Sequence, residues 1–233
     1  MQIVKQLTAS CEYQQYHIRV PLYDINQIPD ISFFNELYES GFRKFIFPKI
    51  QKAEDVNIIF SGKQYNDLKI ILLVETTQLF LEAKDVLLKY KSIFTGVGLG
   101  SHDFMAEVGG VHDLKNLEYA RLQILYLARM INIKAIDIAS MELKDEHAYR
   151  NEIIDGFKKG YDAKFFIHPW QINLFKSISL YEDADLKWAE KVKKAIAEAG
   201  STIEFNPVII DGQIIERPHL AKAEKIIKYY ESK

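Results

Sequence analysis

The sequences IILLVETTQLF (residues 70–80) and FTGVGLGSHDF (residues 94–104) each lead from an apolar run to an acidic residue. The apolar runs are rich in aliphatic and β-branched residues, which is typical of strands buried on both faces of a parallel sheet. Residues 80–90 between them have helical spacing. This part of the chain therefore predicts a strand–helix–strand unit, and the remaining sequence extends the same pattern in both directions.

Glu75 and Asp103 follow the two predicted strands at corresponding positions. A right-handed crossover brings the C-terminal ends of both strands to one rim of the sheet. Two carboxylates that meet there repel each other unless a cation lies between them, and oxygen ligands suit Mg²⁺. Each acid alone could instead cap the next helix. The matched pair favours a metal site, because Gly98 and Gly100 let the backbone approach a ligand.

The composition excludes several classes of protein. The 233 residues are 48% hydrophobic and 27% charged with a net charge of −2, so neither nucleic acid nor a membrane is an expected partner. No apolar run approaches the roughly 20 residues of a membrane span, and no signal-peptide pattern follows the N-terminus. A lone cysteine, Cys11, fits a reducing compartment. We expect a soluble, cytoplasmic protein.

The hydrophobic pattern predicts six strands that alternate with helices in a single domain over residues 1–233. The strands are expected at residues 17–22, 44–47, 70–74, 94–99, 135–139 and 164–167. The helices are expected at residues 31–40, 53–60, 80–90, 113–131, 147–159, 183–199 and 219–230, with a hairpin over 207–215 and a short amphipathic helix over the atypical segment 1–16. This alternation is typical of a (β/α) barrel or a doubly wound sheet.

Seven segments in order resemble the citrate lyase β-subunit-like, or HpcH/HpaI aldolase, superfamily. They are HIRVP, FIFPKIQKAEDV, VETTQLFLEA, GVGLGSHDFMAEVGG, LEYARLQILYLARMINIKAID, GYDAKFFIHPWQI and IIDGQIIERPHLAKAEKII. The resemblance implies a TIM-barrel-like (β/α)8 fold that ends in a hairpin and a swapped helix over residues 201–233. No segment resembles the family's first two β/α units. We therefore expect about six strands, an incomplete barrel, and a homo-oligomer (dimer or trimer) in which residues 1–16 or a second subunit cover the open edge.

The resemblance also implies roles for individual residues. Glu75 and Asp103 would hold Mg²⁺ or Mn²⁺, and Arg19 would bind the carboxylate of a substrate. The residue itself leaves another interpretation open, since an arginine among apolar neighbours also suits a structural ion pair with Glu75 or Asp103. Lys49 would contact the substrate or cap the end of its strand.

The turn after the second strand is the expected substrate-binding turn, with Gly100, Ser101 and His102. The family usually has glutamate at the position of His102, which is either a solvated turn residue, the interpretation we favour, or a replacement acid or base beside the metal. Glu216 stands where the family has an aspartate that enters the active site of a neighbouring subunit. We expect Glu216 to transfer a proton there.

The implied activity is Mg²⁺-dependent cleavage or formation of a carbon–carbon bond through a metal-stabilised enolate. The implied substrate is a 3-hydroxy acyl-coenzyme A thioester of the malyl or citryl type, or a small keto or hydroxy acid. Two alternatives remain open. One is a catalytically degenerate relative that serves as a binding or scaffold protein, and the other is a biosynthetic enzyme that uses the metal site on an unrelated carboxylate.

Overall fold

The computed structural model describes residues 15–198 and 208–231. The chain divides into two compact units, one that ends at Lys176 and one that begins at Ser177. The single domain over residues 1–233 therefore stays a prediction. The helix expected over residues 1–16 falls outside the described part of the chain, apart from its last two residues.

Six parallel strands of the first unit form one sheet in the order of the chain. They are β1 (Ile18–Arg19), β2 (Lys44–Phe47), β3 (Lys69–Val74), β4 (Phe94–Leu99), β5 (Lys134–Asp137) and β6 (Ala163–Lys164). Each strand pairs with the next one in sequence, so every connection is a crossover of the kind that builds a β/α barrel. Within the described residues β1 and β6 are the two edges of this sheet.

Seven helices follow the strands of the first unit in the described part of the chain. They are α1 (Ser32–Glu39), α2 (Ala53–Phe60), α3 (Thr77–Lys89), α4 (Ser101–Val108), α5 (Leu114–Ile131), α6 (Glu146–Lys159) and α7 (Pro169–Ser177), the last of which ends at the boundary with the second unit. Side-chain caps begin α3, α5 and α6: the oxygens of Thr76, Asp113 and Asp145 accept hydrogen bonds from backbone N–H groups of the first turn.

The structure differs from the predicted elements at several points. The strands expected over residues 17–22 and 135–139 are Ile18–Arg19 and Lys134–Asp137. The segment Gly100–Asp103 was expected to be a turn, but Ser101 begins the helix α4, which buries Phe104 and Met105 against the core. The strand expected over residues 164–167 ends at Lys164. The helix α7 was not expected at all.

One buried ion pair lies behind β5. The guanidinium of Arg121, on α5, is fully buried and donates two hydrogen bonds to Asp137, of 3.0 and 2.8 Å. It donates a third, of 2.8 Å, to Asp155 on α6. Gly156 makes this possible, because a Cβ atom there would lie 2.2 Å from Oδ2 of Asp137. The pair therefore joins two helices to the sheet.

The second unit has a hydrophobic core of its own. It contains α8 (Asp183–Glu198), a hairpin of β7 (Val208–Ile210) and β8 (Gln213–Ile215), and α9 (Arg217–Glu231). Asp211 and Gly212 turn the hairpin with φ angles of 47° and 80°, as a type I′ turn requires. In neither unit do the described residues include a helix that is both long and apolar enough to cross a membrane.

Candidate metal and substrate site

A cavity of about 410 Å³ opens in the first unit at the C-terminal ends of the strands. Its polar residues come mainly from the ends of β1, β3 and β4, and its apolar residues from β2 to β6 and the segment after β6. The lining consists of Arg19, Ile46, Leu73, Glu75, Leu99, Gly100, Ser101, His102, Asp103, Ala139, Phe165, Phe166 and Ile167. Arg19 on the edge strand β1 and residues 165–167, which follow the other edge strand β6, line the same cavity, so the sheet is curved around it.

Glu75 is fixed in position by two neighbouring segments of backbone. One of its carboxylate oxygens accepts a hydrogen bond from the backbone N–H of Lys49. Lys49 has a φ of 57°, which is uncommon for a residue with a side chain. On the other side, a Cβ atom at Gly100 would lie 2.2 Å from Cγ of Glu75. Thr76, and not Glu75, caps the following helix, so the capping interpretation of Glu75 is wrong.

The charges around Glu75 are only partly balanced. The Glu75 side chain is 5% exposed, and the guanidinium of Arg19 lies 3.6 Å from its Oε1 while remaining 56% exposed. Burial raises the pKa of the Glu75 carboxyl, and the negative charge of Asp103 acts in the same direction; the N–H of Lys49 and the charge of Arg19 oppose them. A bound cation would relieve both effects that raise this pKa.

Asp103 reaches the cavity from the first turn of α4. Its carboxylate also suits the positive end of that helix, so its position serves the helix and the cavity together. Among the described residues, no group of three or more histidine, cysteine, aspartate or glutamate side chains is arranged to hold a metal. Two carboxylates are nevertheless enough for Mg²⁺, which is usually bound through one or two carboxylates with water and substrate as its other ligands.

His102 lies in the first turn of α4 and is only partly exposed. Its ring stacks on the ring of His112, with centroids 3.8 Å apart, and its Nε2 is buried without a hydrogen-bond partner. Nε2 of His112 is 2.9 Å from the hydroxyl of Ser101. Burial and the neighbouring His102 ring lower the pKa of His112. The interpretation of His102 as a solvated turn residue is therefore wrong, and sequence reasoning missed His112 altogether.

The remaining predicted site residues lie elsewhere. Lys49 contributes its backbone N–H to Glu75, while its side chain is exposed and is not part of the cavity lining. Glu216 lies in the second unit, between β8 and α9, with an exposed side chain. The backbone N–H of Glu216 donates to Nδ1 of His219 over 3.0 Å. The role of Glu216 in proton transfer stays a prediction.

These features can be compared with known proteins. The sequence profile of HpcH/HpaI aldolase/citrate lyase proteins matches residues 1–169. The chain belongs to this family. It is 30% identical over 132 residues to a citrate lyase subunit beta-like protein of Deinococcus radiodurans, a match that covers 56% of this chain and 46% of that protein. It is 26% identical over 193 residues to a (3S)-malyl-CoA thioesterase of Cereibacter sphaeroides, a match that covers 79% of this chain and 66% of that protein. The chain thus spans about half to two thirds of these two relatives.

A solved structure has the same fold. CitE from Mycobacterium tuberculosis, in complex with magnesium, acetoacetate and coenzyme A, superposes with a TM-score of 0.71 at 22% identity, over 91% of this chain and 76% of that one. A citrate lyase from Burkholderia xenovorans superposes with a TM-score of 0.74 at 16% identity, over 99% of this chain and 78% of that one. The prediction of a TIM-barrel-like α/β fold is confirmed, with six parallel strands in the described part of the barrel.

Proposed function

We propose that the chain is a Mg²⁺-dependent carbon–carbon lyase or aldolase. Its substrate would be a small keto or hydroxy acid, or a 3-hydroxy acyl-coenzyme A thioester of the malyl or citryl type. One observation carries the proposal: Glu75 is buried in a cavity that Asp103 and Arg19 also line, and it is oriented by the N–H of Lys49 and by the space at Gly100. The family's members in the comparisons include lyases, which supports the reaction class.

Glu75 and Asp103 would bind the metal, and Arg19 would bind the substrate. Glu75 and Asp103 would hold a divalent cation, Mg²⁺ or Mn²⁺, because both offer carboxylate oxygens to one cavity. When bound, the cation supplies a Lewis acid that stabilises negative charge on a carbonyl oxygen by several kcal/mol. Arg19 is half exposed and lies 3.6 Å from Glu75. Once a cation pairs with Glu75, the guanidinium of Arg19 is free to turn to a substrate carboxylate, because the buried acid keeps a partner.

Proton transfer needs a further group. We assign it to Glu216, supplied by a neighbouring subunit, because the carboxylates in the described lining, Glu75 and Asp103, are both committed to the cation. Gly100, Ser101 and His102 would contact the substrate at the start of α4, and Lys49 would position Glu75 through its backbone.

The same observation favours a second candidate function. Because the described lining holds no carboxylate beyond the two proposed ligands, the chain could bind a metal and a carboxylic acid without turnover, as a binding or scaffold protein. The two candidates differ in one measurable property. A lyase exchanges the protons beside the carbonyl that becomes the enolate with solvent in D₂O, which are the methyl protons of pyruvate for a 2-oxo acid and those of acetyl-coenzyme A for a thioester, whereas a binding protein exchanges neither.

The test combines binding with exchange. Isothermal titration should detect Mg²⁺ binding to the wild-type chain and a loss of affinity on the order of tenfold or more for Asp103→Asn. Arg19→Ala should weaken pyruvate binding by about tenfold to a hundredfold, because a hydrogen-bonded charge is removed. Full Mg²⁺ affinity in Asp103→Asn rejects the metal assignment. If Mg²⁺ and the substrate both bind but NMR detects no proton exchange, the lyase is rejected and the binding protein is favoured.

A further inference from the structure

The lining of the cavity is polar at one edge of the sheet and apolar at the other. Arg19 lies on the edge strand β1, and the proposed metal ligands follow β3 and β4. Four apolar residues of the lining follow β5 and the opposite edge strand β6 and form an apolar wall: Ala139, Phe165, Phe166 and Ile167. Ile167 is 53% exposed, so part of this apolar surface is available to a ligand. A substrate bound on the polar side would extend its other end along this wall.

The wall is held in place by contacts behind it. The N–H of Phe165 donates to the carbonyl of Asp137 over 3.1 Å, and its ring lies over Gly98, where a Cβ atom would be 2.5 Å from Cε2 of the ring. The ring of Phe166 packs on Phe175, with centroids 5.1 Å apart. A hydrophobic surface that is already ordered costs little conformational entropy when it binds a ligand.

The lining offers few cationic side chains to a substrate. Among the described lining residues there is one arginine, Arg19, and no lysine. The nearby Lys164 is directed to other groups, since its ammonium donates to Glu152 over 2.6 Å and to the carbonyl of Ile138 over 2.7 Å. One substrate carboxylate can therefore be paired with a cationic side chain. A second carboxylate would lie against the apolar wall, where burial without a partner is unfavourable.

We infer that the substrate, within the proposed function, has a single carboxylate beside its reactive carbonyl and an alkyl substituent that packs against Phe165, Phe166 and Ile167. In chemical terms it is a 2-oxo monocarboxylic acid with a short linear or branched chain, or the aldol product of such an acid. A 2-oxo dicarboxylic acid is disfavoured by the same wall. This inference rests on the proposed function and narrows its substrate class.

The experiment is a binding series in saturating Mg²⁺, measured by isothermal titration. Affinity should rise from pyruvate to 2-oxobutyrate to 2-oxopentanoate, by up to about fourfold for each added methylene. The matched pair 5-methyl-2-oxohexanoate and 2-oxoglutarate differs only in an isopropyl group against a carboxylate of similar shape. The first should bind more tightly by about tenfold or more. Equal or tighter binding of 2-oxoglutarate overturns the inference.

A charge placed on the wall should reverse the preference. Ile167→Lys adds a cation at an exposed position, so we expect a folded protein that binds 2-oxoglutarate more tightly than the wild type does. Ile172→Lys is the matched control, because Ile172 is 40% exposed on the adjacent helix and does not line the cavity. If Ile167→Lys leaves the preference unchanged, the wall does not select the substrate.

The outcomes separate the two proposals. If Mg²⁺ itself fails to bind, both the proposed function and the substrate class are wrong. If Mg²⁺ binds but pyruvate and every longer 2-oxo acid do not, the substrate class is wrong and the proposed function keeps only its acyl-coenzyme A form. If pyruvate binds but neither chain length nor the second carboxylate changes the affinity, the proposed function stands and the substrate class is wrong.

Discussion

The Glu75 side chain occupies the space that a side chain at position 100 would need, so it can lie there only because residue 100 is glycine. A Cβ atom at residue 100 would lie 2.2 Å from Cγ of Glu75 and 2.9 Å from its Oε1. Gly100 itself has φ and ψ of −81° and 75°, which alanine can adopt, so the clash is the main effect of a substitution. We expect Gly100→Ala to displace the Glu75 carboxylate and to weaken Mg²⁺ binding by about tenfold to a hundredfold, as measured by isothermal titration.

Gly96→Ala is the matched control for this variant. Gly96 lies in β4, the strand that leads to Gly100, and its added Cβ would contact Ile71, Ile136 and the carbonyl of Lys134 at 3.3 to 3.4 Å, so the side chain of Ile71 need shift by only a few tenths of an ångström. We expect Gly96→Ala to keep its Mg²⁺ affinity. Unchanged affinity in both variants would show that Glu75 is not a ligand, or that it binds from another rotamer.

The second prediction concerns stability and the buried guanidinium of Arg121. Asp137 is 2% exposed and receives both of its strong hydrogen bonds from Arg121, while the ammonium of Lys164 is 3.8 Å away. Arg121→Ala leaves this carboxylate buried without its partner. We expect the free energy of unfolding, measured by urea titration, to fall by about 3 to 5 kcal/mol.

An exposed ion pair is the control for Arg121. Lys63 and Glu39 are 2.9 Å apart at the surface, with exposed fractions of 36% and 69%. Surface pairs contribute little, because both side chains are solvated and screened by salt. Lys63→Ala should therefore leave the urea midpoint almost unchanged. A loss of comparable size in the two variants would contradict the role assigned to burial.

Most of the strand order could be predicted from the sequence. The strands β2, β3 and β4 agree with their predicted bounds to within one residue, because each is rich in β-branched, aliphatic or aromatic residues. The helix α4 could not be predicted in this way. Its first residues, Ser101, His102 and Asp103, are typical of a turn, and the helix is fixed by the packing of Phe104 and Met105 against the core. For α7, the sequence does carry a signal, because proline is frequent at the first position of a helix and Pro169 occupies it here.

The candidate site could be predicted only in part. The positions of Arg19, Glu75 and Asp103 follow from strand periodicity, and the structure brings all three to one cavity. The contact that orients Glu75 does not follow from it, because the N–H of Lys49 comes from a strand end 26 residues earlier in the sequence. The stacking of His112 on His102 does not follow from it either, because it depends on how the chain turns after α4. The pairing of Arg121 with Asp137 did leave a signal in the sequence. Each is a charged residue on an otherwise apolar face, and such residues usually need each other.

Asp162 gives a prediction about pH. Its carboxylate accepts hydrogen bonds of 2.7 Å from Arg129 and 2.8 Å from the backbone N–H of Ala135. Burial alone would raise the pKa of Asp162, but the bonds from Arg129 and Ala135 outweigh it and hold the pKa below its usual value. The folded protein then binds fewer protons at this site than the unfolded chain does. The resulting stability is present above the ordinary aspartate pKa and is lost as the pH falls through the lower, folded-state pKa.

We therefore expect the cost of Asp162→Asn to depend on pH. At neutral pH the variant should lose about 1 kcal/mol of unfolding free energy, since the charged bond to Arg129 is weakened. The difference from the wild type should shrink as urea titrations are repeated at lower pH, below an ordinary aspartate pKa of about 4. Ile59→Val is the control: it removes one buried methyl group, at a cost of about 1 kcal/mol, without changing a titrating group. Its cost should be the same at every pH, and an equally constant cost for Asp162→Asn would show that the Arg129 bond does not hold the proton off Asp162 in the folded chain.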